Sequence, residues 1–380
     1  MDWNWTKEQN ELREAAFEIG KSISPGTRER DRAGEFHREG WRALGEFGAH
    51  GLPIPVEYGG MGMDSLTTAG VFEALGHGCK DSGLLFSIHA HLWTLASAIQ
   101  LFGTETQKRK YLPGLSNGSL IGGNAMSEPG SGSDAFSLRT SARLAGDRYV
   151  LNGSKVFVSN GPIADLVLVF ATLDASKGVR GITAFLVERD TPGFRVGRHL
   201  EKMGLRTSPM AELFFDECEI PVENRLGKEG AGANLFTQSL TLERAFILCT
   251  GVGSMQRLFE ICRDYAKTRK QYGETIGKFQ LVSSKVIDMR IRLETARALL
   301  YKTAWLHDQR KSIFLEAAMA KLHISDAWVA SAQDAVQVHG GWGYMTEIEI
   351  ERELRDALGS RLHSGTSEIQ RLIIAPLLGL

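Results

Sequence analysis

The chain has 380 residues, with 44 Lys+Arg against 45 Asp+Glu and a formal net charge of −1. At roughly 150 residues per domain this length implies two or three domains, because single cores stop growing near roughly 250–300 residues. Apolar residues at 43% and charged residues at 23% exclude wholesale disorder, and the absence of a basic excess excludes a nucleic-acid partner on electrostatic grounds. Four scattered cysteines, Cys79, Cys218, Cys249 and Cys262, form no CxxC pair. A disulfide framework and a structural zinc site are therefore not expected, and a reducing compartment is. No apolar run approaches the ~18 residues of a membrane helix. The start, Met1-Asp2-Trp3-Asn4-Trp5, lacks the basic and apolar regions of a secretion signal. The expectation is a cytoplasmic protein with neither membrane nor nucleic acid as partner.

From Thr6 to about Leu120 the periodicity is mostly helical, interrupted at Ser24-Pro25-Gly26 and Gly59-Gly60-Met61-Gly62. Asp81-Ser82-Gly83 breaks the pattern before an apolar segment, Leu84 to Leu101. Near Gly122 the texture turns β. Asp147 to Leu151 and Ser154 to Val158, separated by Asn152-Gly153, read as a hairpin, since Asn-Gly supplies the positive φ of a type I′ turn. Leu166 to Phe170 and Ile182 to Val187 are further short β runs. Gly227 to Gly232 closes this region and long helices follow. The clearest runs from Gln280 to Leu306, with Val282, Val286, Met289, Leu293, Ala296 and Leu300 forming an apolar stripe that faces a core. Glu316 to Val338 is another, ended by His339-Gly340-Gly341. The fold class is mainly α with a β domain: an N-terminal helical domain (1–121), a central β-barrel-like domain (122–226) and a C-terminal four-helix bundle (227–380).

Glu243 is the most informative charge. On a helix read from Asn234 to Cys249, Phe236, Leu240, Glu243 and Ile247 share one stripe. A carboxylate buried among apolar groups is costly unless paired or protonated, and burial raises its pKa toward the range a general base needs. A structural ion pair with an arginine is the alternative, although the adjacent Arg244 points to another part of the helix surface. Glu128-Pro129-Gly130-Ser131-Gly132-Ser133-Asp134 is glycine-rich enough for backbone amides to approach a phosphate or planar ring, or to form an ordinary turn. It lacks the third glycine and the strand–helix context of a dinucleotide fingerprint. Lys267, Arg269 and Lys270 can bind pyrophosphate or be a solvated helix end. Ser367 with Gln370 reads as a capping box opening the last helix. His89-Ala90-His91, with His77 and Cys79 upstream, invites a metal, but no further ligands at zinc-like spacing complete it. No GxSxG elbow supports a serine hydrolase.

Taken in order, these segments resemble the acyl-CoA dehydrogenase family of flavoproteins over nearly the whole chain. Four motifs carry the resemblance: Asn124 to Asp134, Arg269-Lys270-Gln271-Tyr272-Gly273, Gln337-Val338-His339-Gly340-Gly341, and Ser364-Gly365-Thr366-Ser367-Glu368-Ile369-Gln370. The resemblance implies a homotetramer with FAD held between the β domain and the bundle. By correspondence, Met126, Ser127 and Ser133 lie along the flavin, Phe157 and Ser159 cover and hydrogen-bond its ring, and Thr366 and Glu368 reach it from the last helix. Arg269 and Gln271, with Gln280 close by, would meet the pyrophosphate of a neighbouring subunit's cofactor. Gln337, Gly340 and Gly341 would line its adenosine end. Ser133, Arg244, Ser364 and Gly365 would contact substrate.

Many members of the family place the catalytic Glu immediately before Gly-Thr-Ser, where this chain has Ser364. A smaller group, including isovaleryl-CoA dehydrogenases, uses a Glu followed by Arg in the helix after the glycine run, and Leu242-Glu243-Arg244 matches it. The resemblance therefore implies that Glu243 removes the α-proton of an acyl thioester while the β-hydrogen leaves as hydride to flavin N5. Relatives that act on CoA often carry an Asp two residues before this Glu, and here Thr241 stands there. Gly161 to Asp165, Asp81 to Ser87 with His89 to Leu92, and His363 to Ser367 look more like prolyl-carrier-protein dehydrogenases of natural-product pathways. The expected substrate is an acyl or aminoacyl thioester on the phosphopantetheine of an acyl or peptidyl carrier protein, prolyl or similar. Electrons would pass to an electron-transfer flavoprotein or to O2. The alternatives are a short- or branched-chain acyl-CoA dehydrogenase and a cofactor-free helical scaffold.

Overall fold

A computed structural model describes residues 4–380; Met1 to Trp3, the start expected to carry no secretion signal, lie outside the described residues. The N-terminal region is helical: α1 (Lys7–Ser22), α2 (Thr27–Ala33), α3 (Arg38–Phe47), α4 (Ser65–Gly78), α5 (Ser82–His91), α6 (Ser97–Phe102) and α7 (Glu105–Ser116). Thr6 and Thr104 open α1 and α7 with complete capping boxes, and Asp64 and Asp81 cap α4 and α5 through Thr67 N and Leu84 N. Between α5 and α6 the backbone widens into a π-helical turn, Leu92–Ala96.

Together Ser82–Phe102 make a 21-residue run that is long and apolar enough to cross a membrane. This corrects the expectation that no such run exists: the segment carries Ser, His and Thr side chains, yet Ser87, His89, His91 and Thr94 bond to partners in the helix and on its neighbours. In the structure 83% of its apolar window is buried inside the protein, as in a core helix.

Among the described residues eight strands form the central sheet: β1 (Gly122–Ala125), β2 (Ser141–Ala145), β3 (Arg148–Ser159), β4 (Leu166–Thr172), β5 (Ile182–Glu188), β6 (Phe194–His199), β7 (Met210–Pro221) and β8 (Arg225–Leu226). Their order is β6-β7-β3-β2-β4-β5-β8, with β1 running parallel to β4. The hairpin expected at Asn152-Gly153 is not there. Both residues sit inside the continuous strand β3, and the two-residue turn is Gly146-Asp147, between Ala145 and Arg148. Asn152 does not turn the chain; its side chain bonds Glu217 on β7 at 2.7 Å and accepts that residue's amide at 2.9 Å. Gly153 is required for another reason: a Cβ there would lie 2.6 Å from Thr140 Oγ1. The dipeptide marks a bulge against β7, with register shifting between Leu151 and Gly153.

The C-terminal region packs α8 (Gly232–Phe246), α9 (Cys249–Thr268), α10 (Gln280–Asp308) and α11 (Phe314–His339), followed by α12 (Gly341–Tyr344), α13 (Ile350–Gly359) and α14 (Ser367–Leu377). Between α9 and α10 the short strands β9 (Lys270–Gln271) and β10 (Glu274–Thr275) pair. The helix expected over Asn234–Cys249 ends at Phe246, and a turn at Ile247-Leu248 starts α9 in a new direction. Of the α10 stripe, Met289, Leu293, Ala296 and Leu300 are buried, whereas Val282 and Val286 only pack against the core's edge. Arg257 of α9 ties the regions together. It donates to the carbonyl of Cys79 at 2.9 Å and to Glu353 of α13 at 2.9 Å.

Candidate active site

Glu243 lies on the inner face of α8, with only 8% of its surface exposed. Burial pushes its carboxyl above the ordinary value, while the Ser364 hydroxyl and the charges of Arg244 and Lys321 pull it back. Ser364 Oγ donates to Glu243 Oε1 at 2.5 Å. Arg244, expected to point elsewhere, instead reaches the same turn, donating from Nε to the Ser364 carbonyl at 3.3 Å. The helical wheel separated the two side chains correctly, but the Ser364–Gly365 turn spans both directions.

That turn is an unusual stretch of backbone. Ser364 (φ 58°) and Gly365 (φ 87°) are both in the left-handed region. At φ 87° glycine is favoured, and a Cβ there would lie 2.8 Å from Gln370 Nε2 and displace that amide from the turn. Gln370 donates to the carbonyls of Ser364 and Gly365 at 3.1 and 2.8 Å. This replaces the expected capping box. The N-cap is Thr366, whose hydroxyl accepts from the Ile369 amide at 3.3 Å, and Gln370 turns back to the preceding loop. The N-cap lies one residue earlier because the left-handed pair ends at Gly365.

His89 and His91 are fasteners. His89 accepts from Trp93 Nε1 at 3.0 Å and meets Thr250 Oγ1 at 3.2 Å; His91 accepts from the Gly122 amide and donates to the Leu115 carbonyl, both at 2.9 Å. Burial pushes their pKa values down to about 3 and about 4, so both are neutral. No cluster of three or more metal-ligating side chains exists among the described residues. His77 is engaged with Glu260 at 2.8 Å. Around these histidines Phe72, Trp93 and Phe246 form an aromatic wall, with Trp93 and Phe246 rings 4.9 Å apart.

The residues that the resemblance assigned to FAD fall into two groups. Met126 and Ser127 lead from β1 into the glycine-rich loop, and Val156 N donates to the Ser127 carbonyl at 2.9 Å. Next to Val156, β3 bulges between Lys155 and Val158, and Phe157 (φ 58°) is turned outward with 65% of its surface exposed. Ser159 ends the strand. Ser133 is at the exposed side of the loop, Thr366 caps α14 and Glu368 is in its first turn. The second group surrounds a separate cavity of about 670 Å3, lined by Arg269, Gln271, Gly340 and Gly341 together with Tyr265 and Trp342. Gln337 is exposed just before it, at the end of α11, and Gln280 opens α10. None of Glu243's hydrogen-bond partners lines this cavity.

These residues fit the cofactor. A large aromatic side chain is held outward by a bulge, as a planar ring requires. The Arg269 guanidinium has no partner among the described residues. A Cβ at Gly340 or Gly341 would meet nothing within 4 Å, which leaves their backbone open to a ligand.

Lys155 carried no sequence signal. It is fully buried on β3 and donates to the Met126 carbonyl at 3.0 Å and to Glu128 at 2.8 Å. Glu128 also accepts from the amides of Arg139 and Thr140, at 2.6 and 2.9 Å. Burial would raise this carboxyl, but Lys155 and the two amides hold it below its ordinary value. The loop is therefore pinned at its root by an ion pair. Only the strand's alternation, which points residue 155 inward, could have signalled it.

Comparison with known proteins identifies the family. The profiles described as acyl-CoA dehydrogenase N-terminal, middle and C-terminal domains match residues 6–119, 123–218 and 230–378. The chain belongs to the acyl-CoA dehydrogenase family. It is 39% identical to an L-prolyl-[peptidyl-carrier protein] dehydrogenase of Serratia sp., covering 100% of this chain and 99% of the relative. It is equally 39% identical to a short-chain specific acyl-CoA dehydrogenase of Clostridium acetobutylicum, covering 99% of each. Among solved structures, that of the prolyl acyl carrier protein oxidase AnaB superposes with a TM-score of 0.98 at 48% identity, over 99% of this chain and 100% of that one.

Proposed function

We propose that this protein is an FAD-dependent dehydrogenase of an aminoacyl thioester, prolyl or similar, carried on the phosphopantetheine of a carrier protein, with Glu243 as the base. The observation that carries the reading is the bond from Ser364 Oγ to the buried Glu243 carboxylate. It puts the position where many relatives keep their acid, and the acid of this chain, at one point in space.

FAD, when bound, supplies the two-electron acceptor for the hydrogen that leaves as hydride. The chain's own residues do the rest. Glu243 takes the α-proton on its carboxylate, and burial has already raised its basicity for that task. Ser364 fixes the orientation of the carboxylate, and Phe157 presents an aromatic face on the bulge for the ring. Arg269, Gln271 and the Gly340–Gly341 backbone offer an anion-binding cavity for a cofactor's phosphates.

Two observations favour a carrier-bound substrate over free CoA. The Thr241 hydroxyl is spent on the Thr237 carbonyl of its own helix, at 2.8 Å, and offers no carboxylate to an adenosine. Identity to the prolyl acyl carrier protein oxidase AnaB, at 48%, is also higher than the 39% to the short-chain enzyme. That 39% equals the identity to the prolyl-carrier-protein dehydrogenase and keeps a short-chain acyl-CoA substrate as the second reading. Matched CoA and carrier thioesters, followed by intact mass for loss of two hydrogens, separate the two. Turnover of the CoA thioesters alone would overturn the first reading, and a preparation without flavin absorbance would overturn both.

We further propose a homotetramer that passes electrons to an electron-transfer flavoprotein or O2 in the cytoplasm. The four free, buried cysteines fit a reducing compartment. Leu281, Ile287 and Ile291 on α10 are large apolar side chains left exposed in the single chain, Leu281 by 85%, and they fit burial against another copy.

A further inference from the structure

Lys321 is fully buried on α11, and its ammonium donates to the Gly365 carbonyl at 2.7 Å. A charged amine so enclosed is expensive unless something opposite in charge stands close. Glu243 is bonded to Ser364, the neighbour of that carbonyl, and its charge raises the affinity of Lys321 for its proton. We propose that Lys321 is a positioning residue for the Glu243 base: it holds the Ser364–Gly365 turn in the shape from which Ser364 reaches the carboxylate, and it keeps a positive charge beside that carboxylate. This rests on the reading of Glu243 as the base.

The geometry supports both halves. A non-glycine residue in the left-handed region costs on the order of 1 kcal/mol, so Ser364 needs its surroundings to hold it there. The carbonyls of the turn are gripped from three sides: by Arg244 of α8, by Gln370 of α14 and by Lys321 of α11. Arg244 and Lys321 both bring a positive charge to Glu243, and of the two only Lys321 has no exposed surface, where solvent screens least.

The other ionisable groups around the pair divide by element. Arg244 comes from α8, Asp326 from α11, Glu368 from α14, His363 from the loop before the turn, and His89 from α5. His363 is held neutral, its pKa pushed down to about 3 by burial and by the Lys321 and His89 neighbours. Asp326 is engaged with Arg361 at 2.8 Å. Glu368 stands exposed in the first turn of α14. Lys321 and Arg244 are thus the cations that act directly on the base. Burial draws Lys321 itself down to about 8, which still leaves it mostly charged at neutral pH.

The test uses the FAD-loaded enzyme and flavin bleaching by L-prolyl-carrier thioester, or by butyryl-CoA if that is the thioester turned over. Removing the positive charge makes Glu243 harder to ionise, so the acid limb of kcat/KM moves to higher pH. Lys321→Met should shift it by about one unit, an approximately ten-fold loss below the limb that closes as pH rises. Lys321→Gln removes the charge but keeps a donor for the Gly365 carbonyl, and should show the same shift. Lys321→Arg should return the limb to its wild-type position even if kcat falls. A wild-type limb in Lys321→Met, or the same shift in Lys321→Arg, would overturn the proposal. So would loss of FAD from both neutral variants, which would make Lys321 structural only. Glu243→Gln should hold FAD but not bleach; bleaching there would instead overturn the reading of Glu243 as base.

Discussion

Ser364 Oγ lies 2.5 Å from Glu243 Oε1 although 121 residues separate them in the chain. One belongs to the turn before the last helix and the other to the helix that follows the β region, and each is held by its own backbone. A carboxylate mounted on either site can therefore address the same substrate carbon.

The first prediction follows from that convergence. Glu243→Ala should lower kcat by about 10²–10⁴-fold, the usual contribution of a positioned base. Adding Ser364→Glu should restore at least about ten-fold of the loss, since the new carboxylate enters the space that the old one left. Single-turnover flavin reduction measures both. No recovery in the double variant, with FAD bound, would mean that the two positions are not interchangeable.

Phe157 pays a conformational cost that its exposed ring does not recover within the single chain. Phe157→Gly should remove about 1 kcal/mol of left-handed strain, so Tm should stay level or rise. The same change removes an aromatic surface from the ring's proposed cover, and FAD should dissociate about ten-fold more readily. Flavin fluorescence released on dilution reports the second effect, and thermal unfolding of the apoprotein reports the first. A fall in both properties together would assign Phe157 a packing role.

Lys155 and Glu128 make a buried pair at the root of the glycine-rich loop. Lys155→Met leaves Glu128 without its cation and should cost about 3–5 kcal/mol, read from denaturant unfolding. The pair also carries a pH signature. Because the folded state holds Glu128 below its ordinary value, its stabilisation is present above pH about 4.5 and is lost as the pH falls below that. In Lys155→Met that acid-side loss should shrink, so the Tm profiles of variant and wild type converge toward pH 3.

The exposed apolar row on α10 gives a prediction about assembly. Leu281→Glu combined with Ile291→Glu places charges where the proposed tetramer buries apolar side chains, each worth roughly 1.5–3 kcal/mol. Sedimentation velocity should show smaller species, with helix content unchanged. A wild-type sedimentation coefficient would place the subunit contacts elsewhere.

Much of the architecture was legible because it is written locally. Apolar periods of 3.6 and 2 marked the two helical regions and the strands between them, and Glu243 stood out as a charge on an apolar stripe. The errors share one origin. Asn152-Gly153 has the local preferences of a turn, yet pairing with β7 and the closeness of Thr140 hold it inside a strand. Ser367 and Gln370 have the spacing of a capping box, yet the left-handed Ser364–Gly365 pair puts the cap at Thr366. In Ser82–Phe102, His89, His91 and Thr94 look like interruptions, yet they are satisfied by partners from α9, β1 and the helix itself.

Composition and periodicity marked out the helix–strand–helix plan and Glu243 as a charge on an apolar stripe, while the resemblance to a known family supplied the flavin-dependent chemistry and the expectation that Glu243, and not position 364, carries the base. Contacts across the fold decided the rest: the meeting of Ser364 with Glu243, the buried ammoniums of Lys155 and Lys321, and the outward set of Phe157. Side-chain period depends on neighbours three or four residues away, which a sequence displays. A buried charge finds its partner through chain closure over tens to hundreds of residues, and only the packed molecule records which partner that is.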